Sequence, residues 1–349
     1  MNPADQTPLT GRPGAPMVTR MGFGGAPLGN LYRPVSEPDA QAALQAAHDG
    51  GLRFFDTAPL YGLGLSEERF GAAIARFGRE GITLSTKIGR LLEDCAPDQV
   101  TPASFVDTPQ RRFVYDYSYD GVMRSHEASL KRLGVDRIDV LLVHDLCVFT
   151  HGSKEASDAR IAEFFDKGGY RAMAELRDQG VVSAIGAGVN EWEVCETLLR
   201  REDFDCFLLA GRYTLLEQAA LDSFLPLCAQ RDVGIILGGP YNSGILATGP
   251  VPGARYNYAP APEAVMDKVR RMQAVCAHHG VPLAAAALRF PLGHPAVRTV
   301  IPGAASAAEL RENLNVMAAP IPPALWSDLR DQGLIRPDAP LPEKAADAA

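Results

Sequence analysis

Residues 53–62 read RFFDTAPLYG. The apolar pair Phe54-Phe55 stops at Asp56, a Pro-containing turn follows, and Tyr61 stands five residues beyond Asp56. An amphipathic stretch then starts at Ser66, with Glu67 and Glu68 in its first turn, where acids suit a helix dipole. A short strand, a turn bearing polar groups and a helix make the β-then-α unit of a parallel sheet. Two more runs end in the same way. Residues 82–89, ITLSTKIG, close an apolar stretch with Lys87, and residues 138–145, IDVLLVHD, close another with His144.

The alternation continues along the chain. Strands are predicted at Thr19–Gly24, Arg53–Phe55, Thr83–Thr86, Val140–His144, Val182–Gly186, Cys206–Leu209, Gly234–Leu237 and Thr299–Ile301. Helices are predicted over 38–50, 65–77, 121–133, 168–179, 191–201, 218–231, 263–279 and 306–317, several stopping at a glycine. Units of this spacing predict an α/β fold, a parallel (β/α)8 TIM barrel with right-handed crossovers. An open doubly wound sheet would show GxGxxG after its first strand; MGFGGAPLGN (21–30) has no helical pattern directly behind its glycines. In a barrel, chemistry collects at the C-terminal ends of the strands, where Asp56, Lys87 and His144 fall.

The chain has 349 residues, 46% of them hydrophobic and 22% charged, with a net charge of −8. This is a globular composition, sufficient for one barrel domain over 19–335. Residues 1–18 and 336–349, rich in Pro, Gly and Ala, read as flexible tails. No basic stripe points to nucleic acid, and no run approaches the ~20 apolar residues of a membrane helix. Six cysteines without a CxxC pair fit reduced thiols and a cytoplasmic setting, and no metal site is expected. Oligomeric state is not readable.

Long loops are expected after strands 3, 4 and 7, over 90–119, 146–165 and 249–262. Loops of this length after catalytic strands face a substrate or are disordered. Tyr115, Tyr117, Tyr119, Phe149 and Trp192 are aromatic candidates for lining it, with core packing the alternative; Tyr117, Phe149 and Trp192 lead.

A tyrosine alone, with a pKa near ~10, is a poor base at neutral pH. A neighbouring ammonium lowers that value, a carboxylate orients the ammonium, and an imidazole can hold a substrate oxygen. Tyr61, Lys87, Asp56 and His144 supply these groups. The set suits moving a proton on or off a carbinol oxygen while a redox cofactor takes the hydride, since no side chain accepts hydride.

The segments DTAPLYGLGLSEERFG, STKIGR, LLVHD, IGAGVNEW, GGPYNSGILATG and VIPGAASAAELRENL resemble the successive signatures of the aldo-keto reductase superfamily, from about Thr19 to about Leu334. The resemblance implies a (β/α)8 barrel holding a nicotinamide dinucleotide across the strand C-termini. It implies Tyr61 as general acid/base, Asp56 and Lys87 as the pair that tunes it, and His144 as the orienting histidine. Within the superfamily, FFDTAPLYG and GGPYNSGILA are similar to the sugar 1-dehydrogenase branch, which includes L-fucose (D-threo-aldose), L-galactose and pyridoxal 4-dehydrogenases. That similarity implies oxidation of an L-fucose-, D-arabinose- or L-galactose-type anomeric hydroxyl to a lactone. Pyridoxal oxidation or general aldehyde reduction is the alternative, and a nicotinamide-binding sensor without catalytic flux is an alternative of another class.

The resemblance also implies cofactor contacts. Many NADP-using relatives carry cations where this chain has Gly303 and Glu309. A glutamate repels a 2′-phosphate and accepts from a ribose hydroxyl, so NAD is expected, with Arg311 the route to NADP. Asn313 matches an adenine-contacting asparagine, and Ser243, Gly244 and Leu246 are expected along the pyrophosphate. Three positions depart from the pattern. Asn190 matches the carboxamide contact only with a one-residue shift, Ala210 replaces a glutamine, and Gly238 replaces the stacking aromatic. Gly238 and Gly239 would let the backbone approach the cofactor.

Overall fold

A computed structural model describes residues 1–101 and 104–342. Eight parallel strands form one sheet in sequential order: β1 (Phe23–Gly24), β2 (Phe54–Asp56), β3 (Thr83–Ile88), β4 (Val140–His144), β5 (Ala184–Val189), β6 (Cys206–Ala210), β7 (Gly234–Gly238) and β8 (Val297–Ile301). Parallel bridges from Met21 to Val300 and from Gly24 to Gly303 join the two edges, so the sheet closes as the expected barrel.

The helices start where the sequence places their caps. Ser36 accepts from the Asp39 amide at the head of Glu37–Asp49, and Ser306 accepts from the Glu309 amide at the head of Ala307–Ala318. The core has two parts. Leu9, Val18, Phe54, Val140, Leu142, Ala184, Cys206, Leu208, Ile236 and Ile301 fill the barrel, and a larger cluster packs the helices against its outside. Strands covered on both faces read as continuous apolar runs, as these do.

The structure differs from the sequence expectations at both ends. Residues expected as a flexible tail form an antiparallel hairpin, Gln6–Pro8 against Met17–Thr19. Leu9 is fully buried, Thr83 Oγ1 donates to the Met17 carbonyl at 2.6 Å, and a side chain on Gly234 would strike the Leu9 carbonyl. The hairpin therefore plugs the N-terminal mouth of the barrel. At the other end Ala339 is buried and the Arg336 amide donates to Gln218 Oε1 at 2.7 Å. Residues 343–349 lie outside the described residues.

The three long loops carry structure of their own. Arg90–Asp94 pairs with Arg111–Tyr115 after β3, helices Val148–His151 and Lys154–Asp166 follow β4, and a hairpin of Arg255–Tyr256 with Ala259–Pro260 follows β7. Helices Leu283–Arg289 and Pro323–Asp331 were likewise not evident from periodicity. The first is a short alanine-rich segment buried nearly all round, which leaves no polar face to mark a period.

Candidate active site

β2 and β3 run side by side, with Phe55 opposite Leu84 and Asp56 opposite Ser85. This register brings Asp56 and Lys87 together at the C-terminal mouth. Both are about 1% exposed, and Lys87 Nζ donates to Asp56 at 3.0 and 2.8 Å and to the Thr57 carbonyl at 2.8 Å. Burial pushes the Asp56 carboxyl up, and the Lys87 ammonium opposes it.

Tyr61 reaches the same place by a tight turn. Gly62, Leu63 and Gly64 all have positive φ (65°, 52° and 95°). Gly29 lies against the turn so closely that a Cβ on it would overlap the Tyr61 carbonyl carbon. Glycine at both positions lets two backbones meet and hold the ring inward. Lys87 Nζ lies 4.8 Å from the Tyr61 ring centroid, and the His144 ring meets it edge-on at 6.0 Å. The structure thus brings all four expected residues into one cluster.

Its electrostatics differ from the expected ones in one respect. Lys87 spends its hydrogen bonds on Asp56 and Thr57, and its Nζ sits over the ring of Tyr61. The phenol is raised, not lowered. Burial first, then the carboxylates of Asp56 and Asp145, push it well above the usual tyrosine value, and Arg90 works the other way. Burial, with Arg90 and Lys87, pushes His144 well below the usual histidine value, so its imidazole is neutral. A neutral imidazole carries one donor and one acceptor nitrogen, the form suited to holding a hydroxyl.

Beside this cluster opens a cavity of about 320 Å³, with Asp56 and Tyr61 on its wall. Seven of its lining residues are glycine: Gly24, Gly25, Gly211, Gly238, Gly239, Gly244 and Gly303. A Cβ on Gly24 would come 2.9 Å from the Ile301 carbonyl, and one on Gly303 would come 2.6 Å from Pro27 Cγ. Glycines along the wall leave room for backbone amides to meet an anion, which fits a dinucleotide.

The expected cofactor contacts divide. Gly238, Gly239, Ser243, Gly244 and Gly303 line the cavity. Leu246 does not; it is fully buried in the core, because the turn Ile245–Thr248 directs it inward. Asn313 is buried and accepts from Tyr241 Oη at 2.8 Å. Asn190 donates to Tyr258 Oη at 3.2 Å. Glu309 is held at both oxygens, by Arg33 at 2.6 Å and by the Ala305 amide at 2.7 Å.

The aromatic candidates also divide. Tyr117 is completely buried and donates to the His144 carbonyl at 2.9 Å, so it supports the strand end and does not face substrate. Phe149 is 46% exposed and packs on Tyr258, with ring centroids 5.6 Å apart. Trp192 opens the helix Trp192–Arg201 and packs against the core. Sequence reasoning missed Tyr241, Tyr258, Arg90, Asp145 and Arg33. Arg90, Asp145 and Tyr241 sit within segments already singled out, STKIGR, LLVHD and GGPYNSGILATG, whereas Arg33 and Tyr258 carried no motif.

The model of the aldo/keto reductase family matches residues 20–332. The chain belongs to the aldo/keto reductase family. It is 41% identical over 327 residues to a pyridoxal 4-dehydrogenase of Microbacterium luteolum, covering 91% of this chain and 95% of that one. It is 39% identical over 326 residues to a D-threo-aldose 1-dehydrogenase of a Pseudomonas species, with the same coverage. An L-galactose dehydrogenase of Arabidopsis thaliana is 28% identical over 302 residues, 85% of this chain and 83% of that one. The fold is shared with an aldo-keto reductase of Bacillus halodurans in its holo form, at a TM-score of 0.71 and 24% identity, over 95% of this chain and 96% of that one. This aldo/keto reductase is therefore an oxidoreductase. Among its described residues no helix is long and apolar enough to cross a membrane, and no group of three or more His, Cys, Asp or Glu is arranged to hold a metal ion.

Proposed function

We propose that this aldo/keto reductase oxidises the carbinol carbon of a cyclic hemiacetal to a lactone, with NAD or NADP as hydride acceptor. The substrate class is an aldose of the L-fucose, D-arabinose or L-galactose type. The observation that carries the reading is Tyr61, on the cavity wall with Lys87 at its ring face and neutral His144 at its edge.

A bound nicotinamide supplies the hydride acceptor that no side chain offers. Tyr61 takes the hydroxyl proton as the carbon is oxidised, and returns it in reduction. His144 holds the same oxygen and fixes which hydrogen faces the cavity floor. Asp56 keeps Lys87 in place, and the ammonium favours negative charge on the phenolic ring. Gly238, Gly239, Ser243, Gly244 and Gly303 would hold the dinucleotide, and Asn313 with Tyr241 its adenosine end.

Pyridoxal is the second reading, favoured by the 41% identity to the Microbacterium luteolum protein. Pyridoxal also closes to a cyclic hemiacetal, so the same proton transfer serves it. Initial rates with L-fucose, D-arabinose, L-galactose and pyridoxal, each with NAD and NADP, decide between them. Cofactor binding without turnover of any hemiacetal would instead favour a nicotinamide sensor. Glu309 in place of a cation supports NAD; the soluble, cytoplasmic reading rests on composition.

A further inference from the structure

Arg90 follows β3 by two residues and is 4% exposed. Its Nη2 donates to Asp145 Oδ2 at 2.8 Å, and the same carboxylate oxygen lies 3.5 Å from His144 Nε2. Asp145 itself is held in the left-handed region, with φ of 54°, and its amide donates to the Gly188 carbonyl at 3.0 Å. The carboxylate is thus fixed between a guanidinium and the imidazole of the site. Arg90 Nε and Nη1 have no hydrogen-bond partner among the described residues. The guanidinium is instead flanked by the rings of Phe113 and Tyr115, at 5.2 and 5.1 Å. A buried ion pair with unmet donors does little for stability that apolar side chains of equal volume would not do. Its place suggests another use.

We propose that Arg90, acting through Asp145, is a positioning residue for His144 and Tyr61. The guanidinium screens the Asp145 carboxylate from the reacting pair, so that the imidazole stays neutral and the phenol parts with its proton more readily than beside a bare carboxylate. Arg90 does not line the cavity and touches neither substrate nor cofactor. The proposal rests on the reading of Tyr61 as the proton-transfer group.

Other charged and titratable groups face this pair from every side. Tyr115 belongs to the same hairpin and also stacks under Arg160, 5.1 Å away. Tyr117 donates to the His144 carbonyl, and His151 Nε2 lies 2.9 Å from the Asp145 carbonyl. Cys147 follows on the chain, Lys87 and Asp56 stand on the neighbouring strands, and Tyr258 covers the site from the β7 hairpin. Arg90 and Asp145 both act on Tyr61, with opposite signs, and Arg90 also acts on His144. Removing one member of the pair therefore exposes the other's charge to the reacting groups.

This makes a prediction of sign. Arg90→Gln leaves Asp145 unscreened, and the pH limb of kcat/KM for hemiacetal oxidation moves to higher pH by about one unit. Asp145→Asn leaves Arg90 unopposed and moves the limb to lower pH. The double variant returns it toward the starting position, and Arg90→Lys keeps most of it. In the protein without substrate, histidine 15N spectra show His144 neutral across neutral pH, and titrating at higher pH in Arg90→Gln than in the unaltered protein. NADH affinity stays within about twofold in the Arg90 variants. Melting curves establish that each variant is folded; should Arg90→Gln not fold, Asp145→Asn and Arg90→Lys carry the test. Folded single variants with an unmoved limb and an unmoved His144 titration overturn the proposal. Tyr61→Phe run alongside separates the two readings. Turnover in that variant defeats the proton-transfer reading itself, whereas a dead Tyr61→Phe with unmoved single variants defeats only the role of Arg90.

Discussion

Lys87 lies over the face of the Tyr61 ring, its Nζ 4.8 Å from the centroid, while its hydrogen bonds go to Asp56 and the Thr57 carbonyl. The ammonium thus lies against the phenol ring, and its charge is partly cancelled by Asp56. With burial and two carboxylates pushing the phenol up, Tyr61 holds its proton at neutral pH.

Tyr61→Phe removes that proton and little else. Turnover is expected to fall by about 10²- to 10⁴-fold, the usual contribution of a general acid or base, with NADH binding retained. Steady-state rates and a fluorescence titration check this. Activity surviving within tenfold would count against the site.

The raised phenol fixes the sign of the pH dependence. Oxidation needs the phenolate, a minor species below the phenol's pKa, so its kcat is expected to rise with pH across roughly pH 6 to 9. Reduction needs the phenol, which is already present, so its rate stays flat over that range. Rates measured in both directions, with enzyme stability checked at each pH, make the comparison. An oxidation rate independent of pH would contradict it.

Glu309 is clamped between Arg33 and the Ala305 amide. Glu309→Ala frees the Arg33 guanidinium beside the helix start at Ala307 and removes a negative charge. The ratio of kcat/KM for NADP over NAD is expected to rise about tenfold, or about 1.4 kcal/mol. Arg33→Ala moves the ratio toward NAD. Equal ratios in all three proteins would remove this pair from cofactor choice.

His294 is 5% exposed, and burial lowers its pKa to about 4. A base held neutral in the folded state contributes its full stability above the unfolded value of ~6.5 and loses it as pH falls toward 4. The loss is about 3 kcal/mol for this residue at the acid end. Urea unfolding between these limits is expected to show the decline, and His294→Asn, whose Oδ1 can still accept from the Ala296 amide as Nδ1 does at 3.2 Å, to flatten it. His144, also lowered by burial, contributes in the same direction.

Leu9 closes the floor of the barrel and is fully buried. Leu9→Ala is expected to cost about 2–5 kcal/mol, because the hairpin leaves a cavity at the strand N-termini. Catalysis at room temperature should change little, since the cavity is at the opposite mouth. A stability loss near zero would mean the hairpin does not seal the floor.

Periodicity carried the barrel because each strand is covered on both faces and each helix on one, and such burial leaves a pattern in the residues themselves. It also carried Asp56, Lys87 and His144, since residues at strand ends inherit their position from the strands. The hairpin at residues 6–19 escaped notice: its few buried groups, Leu9 and Val18, are too sparse to show a period, and they gain their burial from strands far along the chain. Motif position says nothing of direction: it sets Leu246 along the pyrophosphate and leaves Tyr117 between the substrate and the core, and in the structure both side chains are fully buried. The phenol's proton affinity was likewise beyond the sequence. Whether Lys87 or Asp145 governs it depends on angles and distances of a few ångströms, and Coulomb energies at that range change with each of them. The order of β and α units and the four residues that cluster at the strand ends were written in the chain. The direction of each side chain, and the balance of charge around Tyr61, came only from packing remote segments against one another.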